Sequence, residues 1–318
     1  MVKKAAQLLK EADNILIISH LRPDGDTLGS AFALRHALKS AGKKTCVACD
    51  SEITPKYQII SDGKRCLKPE FKPAFVVTVD VAATKLIGES LKQFEDKIDL
   101  VIDHHPTNTN YGKLNVVDSA KASAGEIIYE ILNEMRLPVT TEIANCIYIA
   151  LSTDTGCFRY SNTTPESLRL AAVLYELGAD ATNLNRRFFE TITRNQLEIQ
   201  KLVFDSIKFY KNGTIGVVNV TLDMIEKTAA SEDDIEGLTA FPRRVEGVLV
   251  GVVVREIGKD EYKISMRSNG LVDVSLICSK YGGGGHKRAA GCNIKGTLEE
   301  IEKQLISDIT FAFEAVEK

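Results

Sequence analysis

The sequence predicts a mixed α/β protein: a doubly wound parallel-sheet domain followed by a smaller α/β domain. Three observations lead there. Short apolar runs alternate with helical patterns through the first half of the chain, and runs apolar on both faces suit a parallel sheet covered on both sides. Near residues 165–210 the pattern turns mainly helical, after which new strand-like runs begin. The chain has 318 residues, and at roughly 100–200 residues per domain that length suits two domains.

The elements follow in order. NILIISH (14–20) reads as a buried strand. TLGSAFALRHALKSAG (27–42) reads as a helix with Thr27 as its cap and Gly42 just past its end. TCVACD (45–50), AFVVTVD (74–80) and IDLVID (98–103) are further strands, and 122–135 and 142–154 are apolar-rich helices. ESLRLAAVLYELG and NQLEIQKLVFDSIKFY look like amphipathic helices, the second bridging two domains. GTIGVVNVT (213–221), GVLVGVVVREI (247–257) and EYKISMRS (261–268) are strands, 271–281 is a helix, and a last helix closes the chain. The expected division is 1–190, a helical linker over 191–212, and 213–318.

The totals narrow the function. No run approaches the ~18–20 apolar residues of a membrane span, and the opening MVKKAAQLLKEAD lacks the apolar core of a signal peptide, so the expected compartment is the cytoplasm and no membrane partner is expected. A net charge of −3 argues against a long duplex as partner, since proteins that track nucleic acid carry a basic face. It leaves room for a small anionic substrate. Seven scattered cysteines give no disulfide framework. Cys46 and Cys49 form a C-x-x-C without a second pair, and read as small buried residues.

Chemistry collects at the element ends. The first strand runs into His20 and then Asp24-Gly25-Asp26, the third into Asp80, the fourth into Asp103-His104-His105, and the helix 142–154 into Asp154. Each tip alone has a plain explanation as a turn or a helix cap, and His36, inside a helix, is taken as an ordinary polar group. Their coincidence is harder to explain that way. Parallel neighbours place such tips in one crevice, where like charges repel unless cations cancel them. Mixed Asp and His ligation suits Mn²⁺, with Mg²⁺, Co²⁺ or Zn²⁺ as substitutes. His20, Asp24, Asp26, Asp80, His104 and Asp154 offer enough ligands for two ions, and a metal pair is the usual machinery of phosphoryl-group hydrolysis.

The second domain offers an anion site. In YGGGGHKRAAGC (281–292), Gly283, Gly284 and Gly285 run into His286, Lys287 and Arg288, a backbone able to approach phosphate closely with cations beside it. In KISMRSN, Ile264 and Met266 are expected to face the core, leaving Ser265 and Arg267 on the other face. Arg267 beside the glycine run would grip phosphate through its guanidinium.

As a set, H-L-R-P-D-G-D (20–26), Asp80 after a strand, D-H-H (103–105), S-T-D-T-G (152–156) and G-G-G-G-H (282–286) resemble the DHH–DHHA1 phosphoesterase superfamily, over nearly the whole chain and in the family's order. Within it, the short two-domain form resembles the bacterial oligoribonucleases that also act on pAp. The resemblance implies one Mn²⁺ held by His20, Asp24 and Asp80, and a second by Asp26, His104, Asp154 and the bridging Asp80. It implies that His105 sits near the scissile phosphate, that Asp103 orients an imidazole, and that Arg267, Ser268 and His286 bind substrate. The implied activity is Mn-dependent hydrolysis of very short RNA or DNA oligonucleotides (nanoRNA) to mononucleotides, with 3′-phosphatase activity on pAp. The alternative substrates are pApA or cyclic di-AMP, and a homodimer is compatible with this reading. Val81 and Ala82 after Asp80, and Asn269 after Ser268, depart from the family's common pattern.

Overall fold

The computed structural model describes residues 1–61 and 71–316. The chain divides into two compact units, Met1–Thr191 and Ile192–Lys318.

The first unit is built on a five-stranded sheet in the order β2-β1-β3-β4-β5. The strands are β1 (Ile15–Ile18), β2 (Thr45–Ala48), β3 (Phe75–Val79), β4 (Leu100–Asp103) and β5 (Leu114–Val117), and every pair is parallel. Alternation along β1 feeds two cores. Ile15 and Ile17 pack under helices on one face, while Leu16 and Ile18 join Val76 and Val101 on the other. The expected double coverage is therefore present. β5 escapes the sequence reading because it is a half-exposed edge strand, with only Val116 buried. The helices are α1 (Val2–Glu11), α2 (Gly25–Ser40), α3 (Gln58–Ser61), α4 (Ala124–Met135), α5 (Thr141–Asp154), α6 (Pro165–Glu176) and α7 (Ala181–Asn185).

This strand order places the site. The chain leaves β1 for β2 on one side and returns to β3 on the other, so the crossovers diverge beyond the carboxyl ends of β1 and β3. Such a switch point opens a crevice. His20 follows β1 and Asp80 follows β3.

The start of α2 differs from expectation. The helix begins at Gly25, and its cap is Asp24, whose Oδ1 accepts the N–H groups of Asp26 and Thr27 at 3.1 Å each. The Thr27 hydroxyl donates instead to the Val79 carbonyl at 2.8 Å. An Asp at this position outcompetes a Thr three residues on because its carboxylate reaches two amides of the first turn. Gly42 takes φ +82 just past the helix, as expected. His36 is buried, 3.4 Å from Glu142 and near the Phe32 ring, an ordinary satisfied histidine.

The second unit carries a mixed sheet in the order β10-β11-β9-β8-β7-β6, formed by β6 (Lys208–Tyr210), β7 (Ile215–Val220), β8 (Val250–Gly258), β9 (Glu261–Ser268), β10 (Gly284–His286) and β11 (Ala289–Lys295). Its helices are α8 (Arg194–Asp205), α9 (Leu222–Thr228), α10 (Glu232–Glu236), α11 (Val274–Ser279) and α12 (Leu298–Val316). One sheet face packs Val252, Val254, Ile264 and Met266 against α11 and α12. The other packs Val218 and Val253 against Ile199 and Val203 of α8. The expected single helix over 195–210 is corrected: α8 stops at Asp205, and Lys208–Tyr210 pairs antiparallel with β7. The segment 191–212 thus holds a helix and an edge strand that both pack into this unit.

Six of the seven cysteines lie among the described residues. Cys46 and Cys49 are buried in and just after β2, in line with the packing reading. No helix among the described residues is long and apolar enough to cross a membrane.

Close helix packing yields a test whose sign is unusual. A Cβ on Gly29, in mid-α2, would stand 2.4 Å from the Cys146 carbonyl oxygen and 2.9 Å from the Ala150 nitrogen of α5. Gly→Ala in a helix normally stabilises by roughly 0.5–1 kcal/mol. Here Gly29→Ala is expected to destabilise the first unit by about 1–3 kcal/mol, because overpacking against backbone dominates. Urea denaturation of the two proteins checks the sign.

Candidate metal centre

Six side chains meet where β1, β3 and β4 end. Asp80 is at the middle of them. It is only 3% exposed and sits at φ +58, a left-handed backbone that few non-glycine residues adopt. Its N–H still bonds the Ile102 carbonyl at 2.8 Å, so the ladder continues while the side chain turns off the strand.

The two oxygens of Asp80 face different neighbours. Oδ2 lies 3.8 Å from His20 Nε2, which is 3.6 Å from Asp24 Oδ1. Oδ1 lies 3.6 Å from His104 Nε2, which is 3.5 Å from Asp26 Oδ2 and 3.7 Å from Asp154 Oδ2. The ligand atoms of His20, Asp24 and Asp80 lie within 4.8 Å of one another, as do those of Asp26, His104 and Asp154 and those of Asp80, His104 and His105. These spacings are too long for hydrogen bonds and match donors arranged about a common centre. His104 Nε2 is also buried with no hydrogen-bond partner, and the buried Asp80 Oδ1 makes no hydrogen bond but lies 3.3 Å from His105 Nδ1. Buried polar atoms are ordinarily paired, so this donor set fits a divalent cation.

The supports explain how the donors are aimed. His104 Nδ1 is 3.2 Å from the Lys121 carbonyl. Donating there leaves the Nε2 lone pair for the cluster, the usual arrangement of a metal-binding histidine. Asp26 accepts from the Ser30 hydroxyl at 2.9 Å and from the Ala124 and Gly125 N–H groups at 2.7 and 3.2 Å. The amino end of α4, with its partial positive charge, therefore holds this carboxylate. A Cβ on Gly25 would collide with Thr153, so glycine lets the start of α2 approach the end of α5, and Asp26 approach Asp154.

Asp103 is fully buried. Its Oδ1 accepts the His104 and His105 N–H groups at 2.8 and 3.2 Å and His105 Nδ1 at 2.8 Å, while Asn108 donates to Oδ2. It holds the His105 imidazole through Nδ1 and fixes the backbone of both histidines. Hydrogen bonding to Asp103, and then the adjacent Asp80 carboxylate, pushes the His105 imidazole up to about 11. With Nδ1 engaged there, this half-exposed ring is a fixed positive group beside the cluster.

The carboxylates show the converse strain. Burial, and then the charges of Asp80 and Asp154, push the Asp26 carboxyl well above its usual range. Burial, and then Asp80 and Asp24, raise Asp154 to about 6, against the pull of His104. Without a cation the cluster relieves its repulsion by holding protons, and a divalent cation relieves it with the carboxylates ionised.

Residues 14–151 match the model of the DHH family, N-terminal domain, and residues 215–312 match the DHHA1 domain. The bifunctional oligoribonuclease and PAP phosphatase NrnA of Thermus thermophilus is 33% identical over 301 residues, covering 93% of this chain and 89% of its own. The chain belongs to the DHH family. A solved exopolyphosphatase-related protein from Bacteroides fragilis shares the fold, with TM-score 0.88 and 24% identity over 100% of this chain and 97% of that one. The RecJ structure from Thermus thermophilus in complex with Mn²⁺ is more distant, with TM-score 0.50 and 15% identity over 96% of this chain and 54% of its own.

The DHHA1 unit places the remaining expected residues. Ile264 and Met266 are buried, as anticipated. Arg267 pairs with Ala289, and Ala289 pairs with His286. Paired residues share a face, so Arg267 and His286 flank Ala289 across three strands. The glycine run is more structural than expected. Gly282 and Gly283 donate to the Ser279 and Cys278 carbonyls at 3.1 and 3.0 Å, closing α11, so those amides do not serve an anion. A Cβ on Gly283 would meet the Gly291 oxygen at 2.2 Å, and one on Gly285, at φ +145, the Ala289 oxygen at 2.4 Å. These glycines let the β10–β11 hairpin close. Gly284 has open space around it. Ser268 is buried, donating to the Val272 carbonyl at 2.6 Å and accepting the Gly270 N–H at 2.9 Å, so its hydroxyl shapes the turn. Arg288 is exposed and lies against Gly270, where a Cβ would come within 2.8 Å of its Nε.

Protons and metal compete for the same oxygens, and Asp154 is half-protonated near 6 in the metal-free protein. Its raised value means that below about pH 6 a cation must displace a proton. Saturating Mn²⁺ is therefore expected to raise the melting temperature clearly at pH 7.5 and much less at pH 5. Equal shifts at both values would contradict the cluster as the binding site.

Proposed function

We propose that this chain is a two-metal phosphoesterase that degrades very short oligonucleotides to mononucleotides and removes the 3′-phosphate of pAp. One observation carries the reading: a single buried carboxylate, Asp80, directs its two oxygens at two separate ligand groups. His20 and Asp24 complete one group, and Asp26, His104 and Asp154 the other. The bifunctional name of the Thermus thermophilus relative supports the choice of substrates, and the mixed Asp and His donors support Mn²⁺.

Two bound cations would supply Lewis acidity and an activated water for in-line displacement at phosphorus. The protein residues do the rest. His105, held protonated by Asp103 and Asp80, keeps its ring in place and offers Nε2–H to a phosphate oxygen as charge builds there. Asp103 fixes that geometry. Arg267, His286 and Arg288 are the proposed contacts for the phosphate that is not cleaved, with Gly284 leaving space for it. pAp is a mononucleotide that carries phosphates on both its 5′ and its 3′ oxygen.

Asp80→Ala is expected to lower turnover of a dinucleotide with Mn²⁺ by more than about 10²-fold, beyond the loss typical of residues that only support a ligand. Wild-type turnover in that variant would overturn the bridging scheme. Arg267→Ala should raise KM about 10–100-fold with kcat little changed, the scale of a charge-assisted hydrogen bond. A panel of pAp, two- to five-mers, pApA and cyclic di-AMP tests the substrate class, with the fastest hydrolysis expected on the short linear molecules.

A further inference from the structure

After Asp154 the chain makes a turn that side chains ordinarily avoid. Gly156, Cys157 and Phe158 take φ of +57, +57 and +62 in succession, a left-handed stretch disfavoured for L-residues. Thr155 holds it. Its hydroxyl donates to the Leu151 carbonyl at 2.6 Å and accepts the Phe158 N–H at 3.1 Å, and its carbonyl accepts the Arg159 and Tyr160 N–H groups at 3.0 Å each. The turn sends the chain back, so that Asn162 lies against Asp154.

Asn162 Nδ2 is 3.2 Å from Asp154 Oδ2, 3.2 Å from the Asp154 carbonyl and 3.3 Å from the Ala122 carbonyl. All three neighbours only accept, so the amide must present its NH₂ to them. Its Oδ1 is buried without a partner, the cost of that orientation. Asp154 Oδ2 is also the atom that faces His104 Nε2. Ala122 adjoins Lys121, whose carbonyl orients His104. The amide thus braces Asp154 directly and His104 through the 121–122 backbone. It has no hydrogen bond to His20 or Asp24.

We infer that Asn162 is a positioning residue for one cation only, the one held by Asp26, His104 and Asp154. The inference rests on the two-metal reading proposed above. Strained backbone beside a site has a purpose when something there requires it, and here it delivers a donor to a metal-facing oxygen.

The test is a Mn²⁺ titration of the full chain, with free Mn²⁺ followed by electron paramagnetic resonance. Wild type is expected to bind two ions. Asn162→Ala, and the volume-conserving Asn162→Leu, should bind one ion as tightly as wild type and the other about 10–100-fold more weakly. Adding Asp24→Asn to either variant should then weaken the remaining tight ion. Equal weakening of both ions, or of neither, overturns the inference. So does loss of the folded state in both variants, which would make Asn162 a folding residue. A wild type that binds only one ion instead overturns the two-metal reading itself.

Discussion

Carboxylates that share a buried crevice repel one another unless positive charge stands between them, and the first unit brings Asp26, Asp80 and Asp154 together at the ends of its strands. Much of the local architecture answers to that repulsion. The amino end of α4 points its amides at Asp26. The His105 imidazole, fixed by Asp103, places a positive group against Asp80. Asp26 and Asp154 still hold their protons more tightly than an ordinary carboxyl does. A fold that gathers like charges at this cost, and leaves the buried His104 Nε2 without a hydrogen bond, is suited to binding cations.

The topology makes the gathering possible. Because β1 lies between β2 and β3, the connections after β1 and β3 part and leave their ends open. Glycine at 25 and 29 then lets α2 press against α5, which carries Asp154 on its last turn. The left-handed backbone at Asp80 turns a strand residue into one that reaches both ligand groups. Sheet order, helix packing and one strained residue together set the geometry.

The six clustered Asp and His side chains were legible in the sequence because they stand at or just beyond the ends of apolar elements, and apolar periodicity is a strong signal. Their supports were not. Lys121 acts through its carbonyl and α4 through its first amides, and backbone groups leave no mark in residue identity. Asn108 and Asn162 resemble ordinary turn residues until the fold shows their acceptors. The Thr27 cap failed because Asp24, read as a ligand, also caps α2. The edge strands β5 and β6 were lost for a related reason: half-exposed pairing lacks the all-apolar signature of the central strands, and Lys208–Tyr210 continued the amphipathic pattern of α8. In the DHHA1 unit the structural role of the glycine run is not visible in residue identity. The run closes a helix and lets a hairpin pack, whereas the alternation in β9 follows the expected pattern, with Ile264 and Met266 buried and Ser265 and Arg267 on the other face.

The central claim is that Asp80 bridges two cations, one on each carboxylate oxygen. Anomalous diffraction from crystals grown with Mn²⁺ tests it most directly. The account predicts two peaks about 3.5–4 Å apart, with Asp80 Oδ2 on the ion beside His20 and Asp24, and Oδ1 on the ion beside His104 and Asp154. A single peak, or two peaks of which only one touches Asp80, would contradict it.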